Sequence, residues 1–477
     1  MSNLNRDVLY LILEELQDDK NTLYSCLSVN KSWCIIIIPI LWKDPWKFLK
    51  QKKKLLFLNV IISHLSNESR NNLIENVDIF TNSYQKPLFN YISFCKHLNF
   101  NVLMDIIHCT YFNYDDKISI VKNDIINLFI NENTKFTHLY IPNNFDYQIH
   151  LIPGVEYCFS ELQFLRCDFN INQNTLEGLA KIIESIKKLE FKPENNTGII
   201  KLIEAQKNLN NIHLSYNRDD SFCKPVEESL FKHVDTIQYL KINWVPTTKE
   251  FLTYHVNLIS LEITSIKNAN WNHLENVSLP RLKILKVKEI PSNDLANLIN
   301  NTKGHLTEIN IGSSFPKGID NKRLIQTICQ KCPKLKYLML LFKNKDISDI
   351  ENLLIKCQYL NGLIIDVNRY EMEFDWNKLF NILIKSSPPS LFKFKFFVHR
   401  FRTSKLESLK FFFDNWKGRH PILLQIVPNY VRLESYIGKY IDIIEKYKAE
   451  GIIKKYDNDL NGNTFEEFEW IKEKKKI

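Results

Sequence analysis

CPKLKYLML, Cys332 to Leu340, is the stretch on which the fold turns. Its apolar residues Leu335, Leu338 and Leu340 stand three and then two positions apart. A spacing of two puts Leu338 and Leu340 on one face of a short strand, while Leu335 packs from the preceding turn. The same hydrophobic-x-x-hydrophobic-x-hydrophobic unit occurs upstream as Phe136/Leu139/Ile141, Leu162/Leu165/Cys167, Ile186/Leu189/Phe191, Leu209/Ile212/Leu214 and Ile237/Leu240/Ile242. It continues as Leu258/Leu261/Ile263, Leu282/Leu285/Val287 and Leu306/Ile309/Ile311, and after Leu335 as Leu360/Leu363/Ile365 and Leu391/Phe394/Phe396. These are eleven copies whose central residues lie 21 to 31 positions apart. Helix-like runs fill the intervals, for example Leu176, Leu179, Ile182, Ile183 and Ile186, or Leu324, Ile325 and Ile328. One strand-and-helix unit cannot bury its own stripe, so the copies must stack side by side with parallel strands on a concave wall.

The spacing resembles that of leucine-rich repeats. Cys332 and Cys357, each three residues before a strand leucine, resemble the cysteine-containing class of these repeats. The expected fold is therefore α/β: a helical N-terminal block followed by a leucine-rich-repeat solenoid, a horseshoe with a parallel concave sheet and a helical convex side. The reading divides the chain into a helical domain (1–46), a mostly helical linker and first cap (47–133), the solenoid (134–400), a second cap (401–450) and a charged tail (451–477). In the cap, Leu406 to Trp416 reads as a helix, Ile422 to Val427 as a last strand and Leu433 to Tyr447 as an amphipathic helix. Terminal repeats need such covers. The basic run Lys47 to Lys54 reads as the solvated face of a helix.

Composition narrows the function classes. A chain of 477 residues with 44% hydrophobic and 25% charged residues is a folded protein of several domains or one extended array. A net charge of +9 spread over this length is weaker and less concentrated than a dedicated nucleic-acid binder carries. Only 11 glycines are present, and neither GxGxxG nor GxxxxGK[ST] occurs, so phosphate cradles have no sequence basis. The start MSNLNRDV has no secretory pattern, and the apolar run Ile35 to Trp42 is too short to span a bilayer and contains Pro39. A cytoplasmic or nuclear location follows as the expectation, with the ten cysteines as buried thiols. Neither a nucleic acid nor a membrane is an expected partner.

No catalytic set stands out. Cys329 and Cys332 form a CxxC with no second pair to complete a zinc site, and neither HExxH nor GxSxG appears. Asp457, Asp459, Asn461 and Gly462 open like a calcium loop, but Phe468 stands where the bidentate glutamate belongs. No metal, no cofactor and no enzymatic activity are expected.

The first forty-six residues form a separate helical block. Val8, Leu9, Ile12, Leu13 and Leu16 recur at helical spacing behind Asn3 or Asn5 as cap, QDDKN (Gln17 to Asn21) is a polar turn, and a second helix leads from Leu23 through Val29 to Trp33. So small a unit exposes apolar surface unless something covers it. With Leu4, Asp7, Val8, Leu9, Ile12 and Leu16, then VNKSW (Val29 to Trp33) and Leu41-Trp42, the block resembles an F-box in order and spacing. Asn5 stands where that family usually has proline, and Asn30 where it often has cysteine. F-box plus leucine-rich repeats resembles the substrate receptors of SCF-type cullin-RING ubiquitin ligases. The resemblance implies docking on a Skp-type adaptor, and through it on cullin, by Leu4, Val8, Leu9, Ile12, Leu16, Val29, Trp33 and Trp42. The repeats would then hold a protein substrate. The alternative is a plain protein-interaction scaffold whose N-terminal helices only cap the array.

A substrate surface is read from strand alternation. The residue between the second and third apolar positions points into the concave groove. Along the chain that position is Tyr140, Arg166, Glu190, His213, Lys241, Glu262, Lys286 and Asn310, then Met339, Ile364 and Lys395. Met339 and Ile364, flanked by Tyr337 and Leu341 and edged by Lys393, Lys395 and Phe397, form the expected apolar docking patch. The alternative has Leu406 to Val427 folding back over it.

Overall fold

The computed structural model describes residues 5–70, 86–111, 115–192, 196–215, 222–248, 250–264, 271–312, 321–367, 374–399, 403–429 and 434–457. The chain divides into two compact units, Met1–His233 and Val234–Ile477.

The first unit opens with three helices, α1 (Arg6–Glu15), α2 (Lys20–Cys26) and α3 (Lys31–Lys43). Each begins on a polar side chain that accepts a hydrogen bond from an otherwise orphaned helix N–H. Asn5 accepts from the Asp7 N–H at 3.0 Å, Asp19 from Thr22 at 3.2 Å and Asn30 from Trp33 at 3.0 Å. The single helix expected from Leu23 to Trp33 is thus two, because Asn30 takes an extended backbone and starts a new one. Leu9 and Leu13 of α1, Leu23 of α2, and Ile36, Ile37 and Ile40 of α3 make the core of the block. Pro39 lies inside α3 and leaves one helical hydrogen bond unmade.

The block runs directly into the sheet. The Lys43 carbonyl accepts from the Lys96 N–H at 2.9 Å, the Trp46 indole N–H donates to the His97 carbonyl at 2.6 Å, and Asp44 Oδ2 lies 3.2 Å from His97 Nδ1. Trp42 stacks on Phe57 and Tyr91 at centroid distances of 5.4 and 4.7 Å. His97 belongs to β1 (His97–Asn99), followed by β2 (His138–Ile141), β3 (Phe164–Cys167), β4 (Lys188–Phe191) and β5 (Asn211–Leu214). The five strands pair in chain order, all parallel, with Leu98, Leu139, Leu165, Leu189 and Ile212 in one register row. Helices return the chain between strands, among them Gln173–Ile182 and Gly198–Ala205. They bury Leu176, Leu179, Leu202 and Ile203 against the strand leucines.

The second unit carries β6 (Tyr239–Ile242), β7 (Ser260–Thr264), β8 (Ile284–Lys288), β9 (Glu308–Gly312), β10 (Tyr337–Phe342), β11 (Gly362–Val367), β12 (Lys393–His399), β13 (Ile422–Asn429) and β14 (Ile453–Asp457). Again each strand pairs in parallel with the next in sequence. Leu240, Leu261, Leu285, Ile309, Leu338, Leu363, Phe394 and Leu424 form one register row, all buried. This is an α/β solenoid: each repeat contributes one strand, and its apolar pair is covered by its own and its neighbour's helix.

The helix Thr403–Asp414 and the strand β13 continue this pattern. Phe412 stacks on Phe380 at 4.8 Å, and Trp416 meets Phe394 edge-on at 5.3 Å. Leu406 to Val427 therefore does not fold back over the opposite face of the sheet; its aromatics are drawn into the core on the Phe394 side. Two strands escaped the sequence reading, β1 ahead of the repeats and β14 after the last expected one.

Candidate interaction surface

On α1 the apolar residues split between two faces. Leu9 and Leu13 point into the helical core, whereas Val8, Leu11 and Ile12 are exposed, and Tyr10 shares the outer surface. Tyr24, Val29 and Ile35 are further exposed apolar side chains of the same forty-six-residue block. Together these side chains give the small block an apolar outer surface.

The adaptor-binding residues read from the sequence fall into five groups. Val8, Ile12 and Val29 are exposed. Leu9 is core, so its contribution is to hold α1 in place. Leu16 and Trp33 are half-buried against that core, and Trp42 is engaged with Phe57 and Tyr91. Leu4 lies outside the described residues. Leu11, Tyr10, Tyr24 and Ile35 were not singled out in the sequence. The signal that could have found Leu11 is its position one residue before Ile12 and three after Val8 on a helix whose opposite face is already satisfied.

The row between the strand leucines is where alternation places it. Tyr140, Arg166, Glu190 and His213 are register partners on β2 to β5, and Lys241, Glu262, Lys286, Asn310, Met339, Ile364, Lys395 and Gln425 on β6 to β13. Up to Lys286 these side chains are half-exposed and largely self-neutralising. Lys188 Nζ meets Glu190 at 2.7 Å, Lys241 meets Glu262 at 2.8 Å, and Lys286 meets Glu308 at 3.5 Å. On β1 and β2 the His97 and His138 rings stack at 3.9 Å, nearly parallel. Burial, then the neighbouring His97, lowers the His138 pKa to about 4, so that imidazole is neutral at neutral pH.

The expected apolar docking patch is not open. Met339, Leu341, Ile364, Lys393, Lys395 and Phe397 are all buried, and Tyr337 is half-buried against the cluster that Met339, Ile364 and Phe397 form with Val427. Strand alternation gives the face correctly but carries no information about a further layer over it. Gly362 belongs to this packing: a Cβ there would stand 2.8 Å from the Tyr337 ring.

The thiols are chemically quiet. Cys332 and Cys357 are buried, Cys329 is partly so, and desolvation raises all three, Cys357 to about 12 and Cys329 to about 11. Among the described residues no cluster of three or more His, Cys, Asp or Glu is placed to hold a metal ion, and no helix is long and apolar enough to cross a membrane. The calcium-like positions Asp459, Asn461 and Gly462 lie outside the described residues.

No protein-family model and no curated protein matches the chain. Among solved structures it is similar to a chain of the yeast Rad7 and Elc1 complex, at 13% identity over 63% of this chain and 79% of that one, with a TM-score of 0.40. It is also similar to the plant peptide hormone receptor RGFR1 in complex with RGF2, at 14% identity over 64% of this chain and 53% of that one, with a TM-score of 0.27.

Proposed function

We propose that this solenoid is the substrate-recognition subunit of an SCF-type cullin-RING ubiquitin ligase. The observation that carries the reading is the outer face of α1, where Val8, Leu11 and Ile12 are exposed although Leu9 and Leu13 already complete the core. A cap that only covers the end of the array has no use for that second apolar face. A Skp-type adaptor seated there would bury it, and the order of residues from Asp7 to Trp42 resembles the F-box that such adaptors take.

The protein itself performs no bond chemistry in this reading. It holds a target protein near a ubiquitin-charged conjugating enzyme, which raises the effective concentration of lysine and thioester. The half-exposed rows of β2 to β5, and separately of β6 to β8, are the solvent-facing surfaces available for the target.

The plain scaffold draws support from the backbone bond between Lys43 and Lys96, which ties the helices to the first strand as a cap would be tied. One experiment separates the two. Full-length protein mixed with a Skp-type adaptor and cullin should co-elute as a stoichiometric complex; elution of the free protein at every adaptor concentration removes the ligase reading and leaves the scaffold.

A further inference from the structure

In the second unit the turns that lead into β8 to β12 are chemically one-sided. Residues 277–283, 301–307, 331–336, 356–361 and 385–392, which run from the end of a helical segment to the next strand, contain no aspartate or glutamate. They carry eight lysine or arginine side chains, all exposed. Arg281 and Lys334 stand one residue before the leucine of their turns, and Lys283 and Lys336 one residue after it. Lys303, Lys331, Lys356 and Lys385 lie at or close beyond helix C-termini. Backbone bonds set the entry positions side by side: the Thr307 N–H donates to the Lys283 carbonyl, the Lys336 N–H to that of Thr307 and the Asn361 N–H to that of Lys336, each at 2.8 Å. Lys283 and Lys336 are therefore two strands, ~10 Å, apart. Among the described residues none of the eight basic side chains enters an ion pair or a side-chain hydrogen bond.

The same positions in the first unit show what the fold allows. Lys135 and Glu161, each one residue before the apolar residue of its turn, meet at 2.7 Å across adjacent turns. Lys207 and Glu184, each two residues before theirs, pair in the same way. Pairing from turn to turn is thus available at this edge, and in the second unit no acidic partner is supplied. Carboxylates only border it: Glu275 precedes the first turn, and Glu351 accepts from the Ser386 hydroxyl at 3.1 Å. Helix C-termini attract lysine through their carbonyl dipoles, which accounts for Lys331, Lys356 and Lys385. It leaves Arg281, Lys283, Lys334 and Lys336, and Lys303 beyond the helix Ser292–Asn300, without a use in the fold.

Two apolar side chains stand exposed among these cations. Ile355 is 50% and Tyr359 63% exposed, and Tyr359 holds in its turn the position that Lys334 holds in the one before. An aromatic centre with a charged rim is the anatomy of a protein interface. The apolar pair also selects among polyanions. The phosphate backbone of a duplex offers nothing apolar to cover it, and a single strand needs successive exposed rings for its bases, whereas here Phe392 is already stacked with His420 at 4.0 Å. A lipid surface would gain less apolar area from these two side chains than from one acyl chain, which by itself anchors only weakly.

We propose that this edge docks an acidic segment of a partner protein, its carboxylates on the lysines and an apolar side chain of the segment against Ile355 and Tyr359. Attraction between the two charge patterns acts before contact and speeds encounter. The surface belongs to the second unit and needs neither α1 nor an adaptor, so its failure and that of the ligase reading are told apart.

The test uses the full chain and a fluorescein-labelled peptide of about ten glutamates with two leucines at its centre, followed by fluorescence anisotropy. Binding should saturate, and should weaken steeply as salt rises from about 50 to about 200 mM. Lys334→Glu with Lys336→Glu should weaken it ~10-fold or more, and Tyr359→Ser ~3-fold or more. Lys52→Glu with Lys53→Glu, at exposed lysines of the first unit, makes the same change in net charge and should alter binding less than about twofold. An equal loss in both double variants reduces the effect to net charge and overturns the proposal, as does a peptide that fails to bind. Tighter binding of a mixed-sequence DNA duplex or of phosphatidylserine vesicles, undiminished in Tyr359→Ser, overturns it in favour of a nucleic acid or a membrane. If the charge reversal lowers the melting temperature, Lys334→Gln with Lys336→Gln decides, and peptide binding within about twofold of the parent then counts against the proposal.

Discussion

Replacing Val8, Leu11 and Ile12 together by serine is expected to weaken adaptor binding sharply without unfolding the protein. The three are 45%, 62% and 49% exposed. Full burial of such a side chain is worth about 1.5–3 kcal/mol, so covering the exposed half of each gains ~1 kcal/mol, and the three together ~3–4 kcal/mol. At 1.4 kcal/mol per decade the variant should bind ~10²- to 10³-fold more weakly. Titration calorimetry of the full-length protein with a Skp-type adaptor measures this directly. Folding should change little, because the same side chains contribute only their buried halves to the block, whereas Leu13→Ser empties a fully packed core position and should cost several kcal/mol. If the triple variant binds the adaptor within threefold of the parent, the outer face of α1 is not the docking surface and the physical basis of the proposed function falls with it.

Three further expectations concern stability. Asn30→Ala removes the cap of α3 and should lower stability by about 1 kcal/mol, with Asn5→Ala giving a similar loss at α1; denaturant titration of each full-length variant, read by far-ultraviolet dichroism, checks both. Gly362→Ala places a methyl 2.8 Å from the Tyr337 ring and should cost about 1–3 kcal/mol, an effect that Tyr337→Ala relieves in the double variant. His138 has a folded-state pKa depressed to about 4 from its ordinary 6.5, so the unfolded chain takes up the proton first. Its contribution is complete above pH 6.5 and is lost progressively as the pH falls toward 4. Melting temperature should therefore fall over this window, and less steeply in His138→Phe, whose ring keeps the stack on His97 and Phe164.

The repeats were legible because their signal is local and obligatory. Leu335, Leu338 and Leu340 declare a strand by spacing alone, and once each strand has its leucine the register of the sheet follows, as Leu338 opposite Ile309 and Leu363 shows. β1 was not legible because three residues with one buried side chain, Leu98, carry no alternation, and β14 hides Ile453 ahead of a polar KKYD. On α1 the sequence offered apolar residues all round a short helix. Which of them turn inward depends on where Leu23 and Ile37 arrive, and nothing within α1 records that. Asn5 and Asn30, which depart from the F-box pattern that the block resembles, gain a plain role from the structure as helix caps. The sealing of Met339 and Ile364 stood in the sequence only as an alternative, because a strand's period assigns a face and leaves open whether that face is covered.

The join at Lys43 to His97 has a mechanical consequence. Two hydrogen bonds, Lys96 N–H to the Lys43 carbonyl and the Trp46 indole to the His97 carbonyl, join residues 43–46 to the start of β1, with Asp44 beside the His97 ring. A single link is a pivot; two at successive residues resist torsion better than one. The helical block is therefore braced against β1 at residues 43–46. A load applied to α1 would reach β1 through this join, so the helices and the first strand would turn together.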